Sequence, residues 1–136
     1  MIVLDEQLLG RNLEVEIARW YRGAVCFITD LRPNTVVKDD AIPRLLREEK
    51  KPTFVTINVS DFLACPELVE WGKIAADDHF CVACFALPDS QAREISSRLR
   101  ALLGHPLFAA KNQRMGKIIR VAGDQVSYYS VRGRVL

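Results

Sequence analysis

The chain has no apolar run near the roughly 20 residues that cross a bilayer, and no basic stretch leading into a shorter apolar one at its start. Neither a membrane span nor a signal peptide is therefore expected. Histidine is scarce, with two residues in 136. His79 starts an apolar run and His105 sits between Gly104 and Pro106, so no Ser-His-Asp or Cys-His arrangement is legible and neither histidine is read as catalytic. Four cysteines, at 26, 65, 81 and 84, are too unevenly spaced for a disulfide scaffold, which points to a reducing cytoplasm. The seven glycines form neither a dinucleotide fingerprint nor a P-loop, so a nucleotide cofactor is not expected. Repeats, low-complexity tracts and linkers are missing too, and one domain over residues 1–136 is the expected organisation.

What is present is an ordinary folded composition, 49% hydrophobic and 26% charged, with an uneven charge distribution. Residues 1–80 carry ten basic and fourteen acidic side chains, a balance of −4; residues 81–136 carry nine and three, a balance of +6. An acidic half beside a basic half suits a protein that holds cations in one place and a polyanion nearby, and equally suits a solvated charged surface.

Apolar runs alternate with helical periodicity. Strands are expected at Met1–Leu4, Ala24–Ile28, Thr53–Ile57 and His79–Leu87. Between them, Leu9, Leu13, Ile17 and Trp20 recur at helical spacing up to Gly23, and Ile42, Leu45 and Leu46 form the stripe of a helix capped by Asp39 that ends at Glu49. Pro66 opens a short helix with Leu68, Trp71 and Ala75. Asp89 or Ser90 caps the clearest helix, with Ala92, Ile95, Leu99 and Leu102 inward and Gly104 at its end. Lys117–Val121 and Gln125–Val131 read as a hairpin turning on Gly123-Asp124. Strands alternating with helices predict βαβ units, a mostly parallel sheet and an α/β fold with helices on both faces.

The chemistry-bearing residues gather where strands are expected to end. Val3-Leu4-Asp5-Glu6 and Val55-Thr56-Ile57-Asn58-Val59-Ser60-Asp61-Phe62 are apolar runs that stop on oxygen ligands, with Asp39-Asp40 between them. Strand carboxyl ends and helix amino ends share one edge of a parallel sheet, so Asp5, Asp39, Asn58 and Asp61 can converge there. Thr56 would add a hydroxyl to the ligands' surroundings or to substrate. Singly, each acid is explained by capping a helix or turn. Together they repel one another unless a cation compensates, and oxygen ligands suit Mg²⁺ or Mn²⁺.

Leu4-Asp5-Glu6-Gln7-Leu8, Asp39-Asp40-Ala41-Ile42 and Val55–Phe62 resemble, in order and spacing, the motifs of the PIN-like nucleases, closest to a branch of small bacterial PIN-like proteins. The resemblance implies a three-layer α/β/α sandwich around the sheet and a Mg²⁺- or Mn²⁺-dependent ribonuclease. It also implies a possible toxin role beside an antitoxin protein, and a homodimer. It assigns Asp5, Asp39 and Asp61 as catalytic metal ligands, with Glu6 and Asp40 as neighbouring second choices. Asn58 stands where the branch commonly has Asp, and its missing charge favours an alternative: a catalytically weak or inactive fold acting as a nucleic-acid or protein interaction module. A receiver-like phosphoacceptor domain needs an acid where Asn58 stands, and is set aside.

Lys111, Arg114, Lys117 and Arg120 recur every three residues, with Arg132 and Arg134 beyond. They could neutralise RNA phosphates without reading sequence; a solubilising surface explains them as well. Phe62, Trp71 and Tyr128 are base-stacking candidates that also read as core. Cys81-Val82-Ala83-Cys84 places its thiols on opposite faces of a strand, where they cannot share one ion.

Overall fold

The computed structural model of the chain describes residues 1–32, 41–57, 79–123 and 125–130. Six strands form one sheet: β1 (Ile2–Leu4), β2 (Val25–Phe27), β3 (Thr53–Thr56), β4 (Cys81–Phe85), β5 (Lys117–Ala122) and β6 (Gln125–Ser130). Their order is β2-β1-β3-β4-β5-β6. The first five are parallel, and β6 returns antiparallel to β5. The expected α/β class and C-terminal hairpin are therefore present. Every residue of β1, β3 and β4 is buried, as expected for parallel strands covered on both faces. Each fully buried Ile or Phe among them contributes about 1.5–3 kcal/mol through lost apolar hydration.

The pleat divides these side chains into two cores. Ile2, Leu4, Val55, Ala83 and Ile119 face one side, where Leu13 and Ile17 of α1 (Leu13–Ala18) meet Ile95, Leu99 and Leu102 of α3 (Ile95–Leu103). Val3, Phe54, Val82 and Ile118 face the other side, against Ile42, Leu45 and Leu46 of α2 (Ile42–Arg47). A short helix, α4 (Lys111–Arg114), precedes β5. The crossover β1–α1–β2 steps one way along the sheet over the first face. The crossover β2–α2–β3 steps the other way over the second face, which gives both the same hand. From β4 to β5 the chain again steps in the β2-to-β3 direction but passes over the α1 face. Its hand is opposite, against the uniform right-handedness usual for such units, and α3 is thereby laid beside α1.

Several elements are shorter than their periodicity predicts. The first helix does not begin at Leu9: a 3₁₀ turn covers Glu6–Leu8, Gly10 takes φ +80° and Asn12 φ +57°, and α1 starts only at Leu13. Left-handed backbone cannot continue an α-helix, so Leu9 is left 50% exposed instead of joining the stripe, and the helix ends at Ala18, before Gly23. The 89–103 segment keeps its expected inward residues, but its first six residues are 3₁₀ and no side chain caps either part. The helix expected from Pro66, and the Asp39 cap, fall outside the described residues. Among the described residues no helix is long and apolar enough to cross a membrane.

Candidate functional site

The strand order 2-1-3-4-5 reverses at β1. The chain leaves β1 toward β2 and returns to the other flank as β3. In open parallel sheets, ligands collect at such a switch point, outside the carboxyl ends of the strands. Asp5 is the residue after β1, and Thr56 is the last residue of β3. Because Leu4 is paired with Val55, Asp5 falls beside Thr56, and its N–H extends the ladder to the Val55 carbonyl at 2.9 Å.

Asp5 occupies the N-cap position of the Glu6–Leu8 turn, yet its side chain makes no capping hydrogen bond. The Leu8 N–H is bonded to the Asp5 backbone carbonyl instead, at 2.9 Å. The capping explanation of this carboxylate therefore does not hold. Its Oδ2 accepts a hydrogen bond from the Thr56 hydroxyl at 2.6 Å, the short distance typical of O–H donating to an ionised carboxylate. Thr56 is fully buried and Asp5 is 7% exposed. Thr56 thus orients the acid, the first of the two roles expected of its hydroxyl. Cys84, paired with Thr56 on β4, senses the same carboxylate. Burial pushes its thiol pKa well up, and the neighbouring Cys81 and Asp5 raise it further.

Glu6 is exposed in the 3₁₀ turn. Asp30, just past β2 on the same sheet edge, is turned back to accept the Phe27 N–H at 2.8 Å. Asp39, Asp40, Asn58 and Asp61 lie outside the described residues. Among the described residues no three His, Cys, Asp or Glu side chains form a group able to hold a metal. The described part of the site is a buried carboxylate oriented by a hydroxyl, and this all-oxygen chemistry fits Mg²⁺ or Mn²⁺ better than a soft metal.

The expected basic row does not form one surface. Arg114 is 2% exposed. Its guanidinium donates to the carbonyls of Phe108 and Ala109 at 2.8 and 2.9 Å and to the Thr53 hydroxyl at 3.1 Å. It ties α4 to the start of β3 rather than reaching a phosphate. Lys117 is half-buried, with its ammonium 5.5 Å from the Phe108 ring centre and 5.0 Å from that of Tyr128. Lys111 and Arg120 are exposed. Tyr128 is half-buried edge-to-face against Phe108, a packing role rather than a base platform. His105 accepts the Leu107 N–H at 3.1 Å, within its own loop. The two cysteines of the Cys-x-x-Cys belong to different cores, on opposite faces of the sheet.

Sequence reading missed a second basic grouping. Arg19, Arg93 and Arg100 line one hollow beside Trp20 and Ser97. The spacing of Arg93, Ser97 and Arg100 along one helix face was the available signal; the arrival of Arg19 from α1 depended on the crossover of α3. No family model, curated protein or solved structure matches this chain.

Proposed function

We propose that the protein is a Mg²⁺- or Mn²⁺-dependent ribonuclease of PIN-like type, its sheet flanked by helices in a three-layer α/β/α sandwich. The observation that carries this reading is the Asp5–Thr56 pair: a buried carboxylate at the switch point, released from capping and oriented by a neutral hydroxyl. Order and spacing of the Asp5, Asp39 and Asp61 motifs support it from the sequence. Asp5 with Asp39 and Asp61 would hold the ion, with Glu6, Asp40 and Asn58 beside them. A divalent ion held there would lower the pKa of a bound water, so that a nucleophilic hydroxide forms near neutral pH, and would supply positive charge for the departing oxygen.

The protein's own part is preorganisation. Thr56 fixes the rotamer of Asp5, so the acid need not reorient as charge develops. Burial strengthens the electrostatic interactions the carboxylate makes. Asp5→Asn keeps the side chain's shape and its hydrogen-bonding oxygen while removing the charge. It is expected to abolish Mn²⁺-stimulated cleavage of RNA in a discontinuous gel assay, and cleavage at the parent rate would defeat the assignment.

Asn58, an amide in place of an acid, favours a second reading, a binding module with weak or absent catalysis. Calorimetry separates the two. Micromolar Mn²⁺ binding that disappears in Asp5→Asn belongs to the nuclease, and undetectable binding by the parent belongs to the module.

A further inference from the structure

Helices α1 and α3 lie side by side on one face of the sheet, and the groove between them is basic. Arg19 at the end of α1, and Arg93 and Arg100 along the α3 segment, line an open hollow of about 510 Å³, with Glu16 the one acid among its lining residues. A second hollow of about 310 Å³ shares Trp20 and Arg100 with the first and adds Tyr21 and Lys111. Trp20 and Arg100 belong to both linings, so the two hollows adjoin. Arg19, Arg93, Arg100 and Lys111 are all exposed. Among the described residues no carboxylate pairs with any of these four cations; the ion pair on α3 is Arg98 with Glu94 at 3.3 Å.

Like charges gathered in one concave surface repel unless an anion fills it. Guanidinium groups bind phosphate oxygens in a forked geometry. The wall between the hollows is aromatic and fixed in place. The Trp20 indole N–H donates to the Ser96 hydroxyl at 3.0 Å, and the ring meets Tyr21 edge-on at 6.1 Å. Each hollow is open to solvent, whereas sites for small molecules enclose most of their ligand's surface. Phosphate-binding cations interleaved with aromatic rings along an open track are the requirements of a flexible single strand.

We infer that the α1–α3 groove binds the sugar-phosphate backbone of single-stranded nucleic acid, at a place separate from Asp5. The separation follows from the fold. Tyr21 accepts a hydrogen bond from the Met1 amine at 3.0 Å, and Arg114, which lines the second hollow, is bonded to Thr53. Met1 and Thr53 mark the amino edge of the sheet, and Asp5 lies at the carboxyl edge. The groove extends the ribonuclease reading by supplying a hold on the strand away from the cleavage edge, but its binding does not require that edge to be active.

The test uses the full chain in EDTA, with a short fluorescent oligouridylate followed by anisotropy across a salt series. Arg19→Gln combined with Arg100→Gln is expected to weaken binding at least roughly tenfold. It should also flatten the slope of log K against log[salt] by about 1.4, at about 0.7 for each phosphate that is no longer neutralised. Arg44→Gln, exposed on α2 at the opposite face, keeps the parent affinity. Unchanged affinity and slope in the double variant overturn the inference. So does displacement by polyglutamate of matched charge, which would make the groove a seat for an acidic protein, or by uridine monophosphate at matched phosphate concentration, which would make it a single-phosphate site. Asp5→Asn isolates the two claims: it removes cleavage if the nuclease reading holds, and it leaves oligonucleotide binding in EDTA intact whether or not that reading holds.

Discussion

A hydroxyl held 2.6 Å from a buried carboxylate oxygen defines what Asp5 can do. Hydrogen bonds to a charged group contribute about 1.5–3 kcal/mol, enough to hold one rotamer against its alternatives. Thr56→Val keeps the β-branched shape that suits the strand and deletes the donor. The expected result is a loss of about 2 kcal/mol in stability, with Mn²⁺ affinity and cleavage reduced roughly 10- to 100-fold. Denaturant melts and calorimetry on the same variant measure both. Full Mn²⁺ affinity in Thr56→Val would show that the hydroxyl does not position the acid. Asp5 was legible in the sequence as an acid closing an apolar run. That its side chain turns away from the cap and toward β3 was not legible, because the choice depends on the strand lying beside it.

Among elements, α4 shows how a basic residue can be misread. The spacing of Lys111, Arg114, Lys117 and Arg120 looks like a phosphate-binding row, but α4 is one turn long and β5 begins at Lys117. A period of three carried from a helix into a strand does not keep side chains on one surface. Arg114 falls inward, where three neutral oxygens satisfy its guanidinium and fasten α4 and the 108–109 loop to β3. Arg114→Met preserves the stem and removes the donors, leaving the Thr53 hydroxyl and two carbonyls short of partners. A destabilisation of about 3 kcal/mol is expected, read as a lower urea midpoint with an unchanged m-value. A midpoint equal to the parent's would mean that the clamp contributes nothing. The first helix gives the complementary lesson. Its apolar spacing from Leu9 is real, but Gly10 and Asn12 take left-handed backbone and cut the element short.

For the whole molecule, the buried thiols give a pH signature. Burial pushes Cys81 up to about 12 from an ordinary 9.0, against a smaller downward pull from Arg114 and Lys117. The folded chain thus keeps a proton that the unfolded chain releases, and the stability this confers is complete below about pH 9 and drains away as pH rises toward 12. Each such proton changes the unfolding free energy by about 1.4 kcal/mol per pH unit. Cys81→Ala is expected to show a shallower decline than the parent between pH 9 and 12 by up to one proton's worth, measured as urea midpoints across pH. Parallel declines would mean that the thiol ionises as readily folded as unfolded. The same scale bears on the charge asymmetry of the sequence. The excess of basic residues after residue 80 is not spread evenly: Arg93, Arg100 and Lys111 line the two adjoining hollows, and Arg114 is consumed inside.

The sequence by itself determined the local matters: which runs are strands, that the sheet is mostly parallel, that its last two strands form a hairpin, and that Asp5 closes the first strand. Each rests on spacing along the chain, where periods of 2 and 3.6 residues and turn chemistry act within a few positions. Tertiary structure alone decided that β3 lies against β1, that Thr56 therefore grips Asp5, and that α3 crosses over the α1 face to bring Arg19 beside Arg93 and Arg100. Those outcomes depend on which element lies next to which, a property of strand order and crossover hand that no stretch of sequence carries on its own.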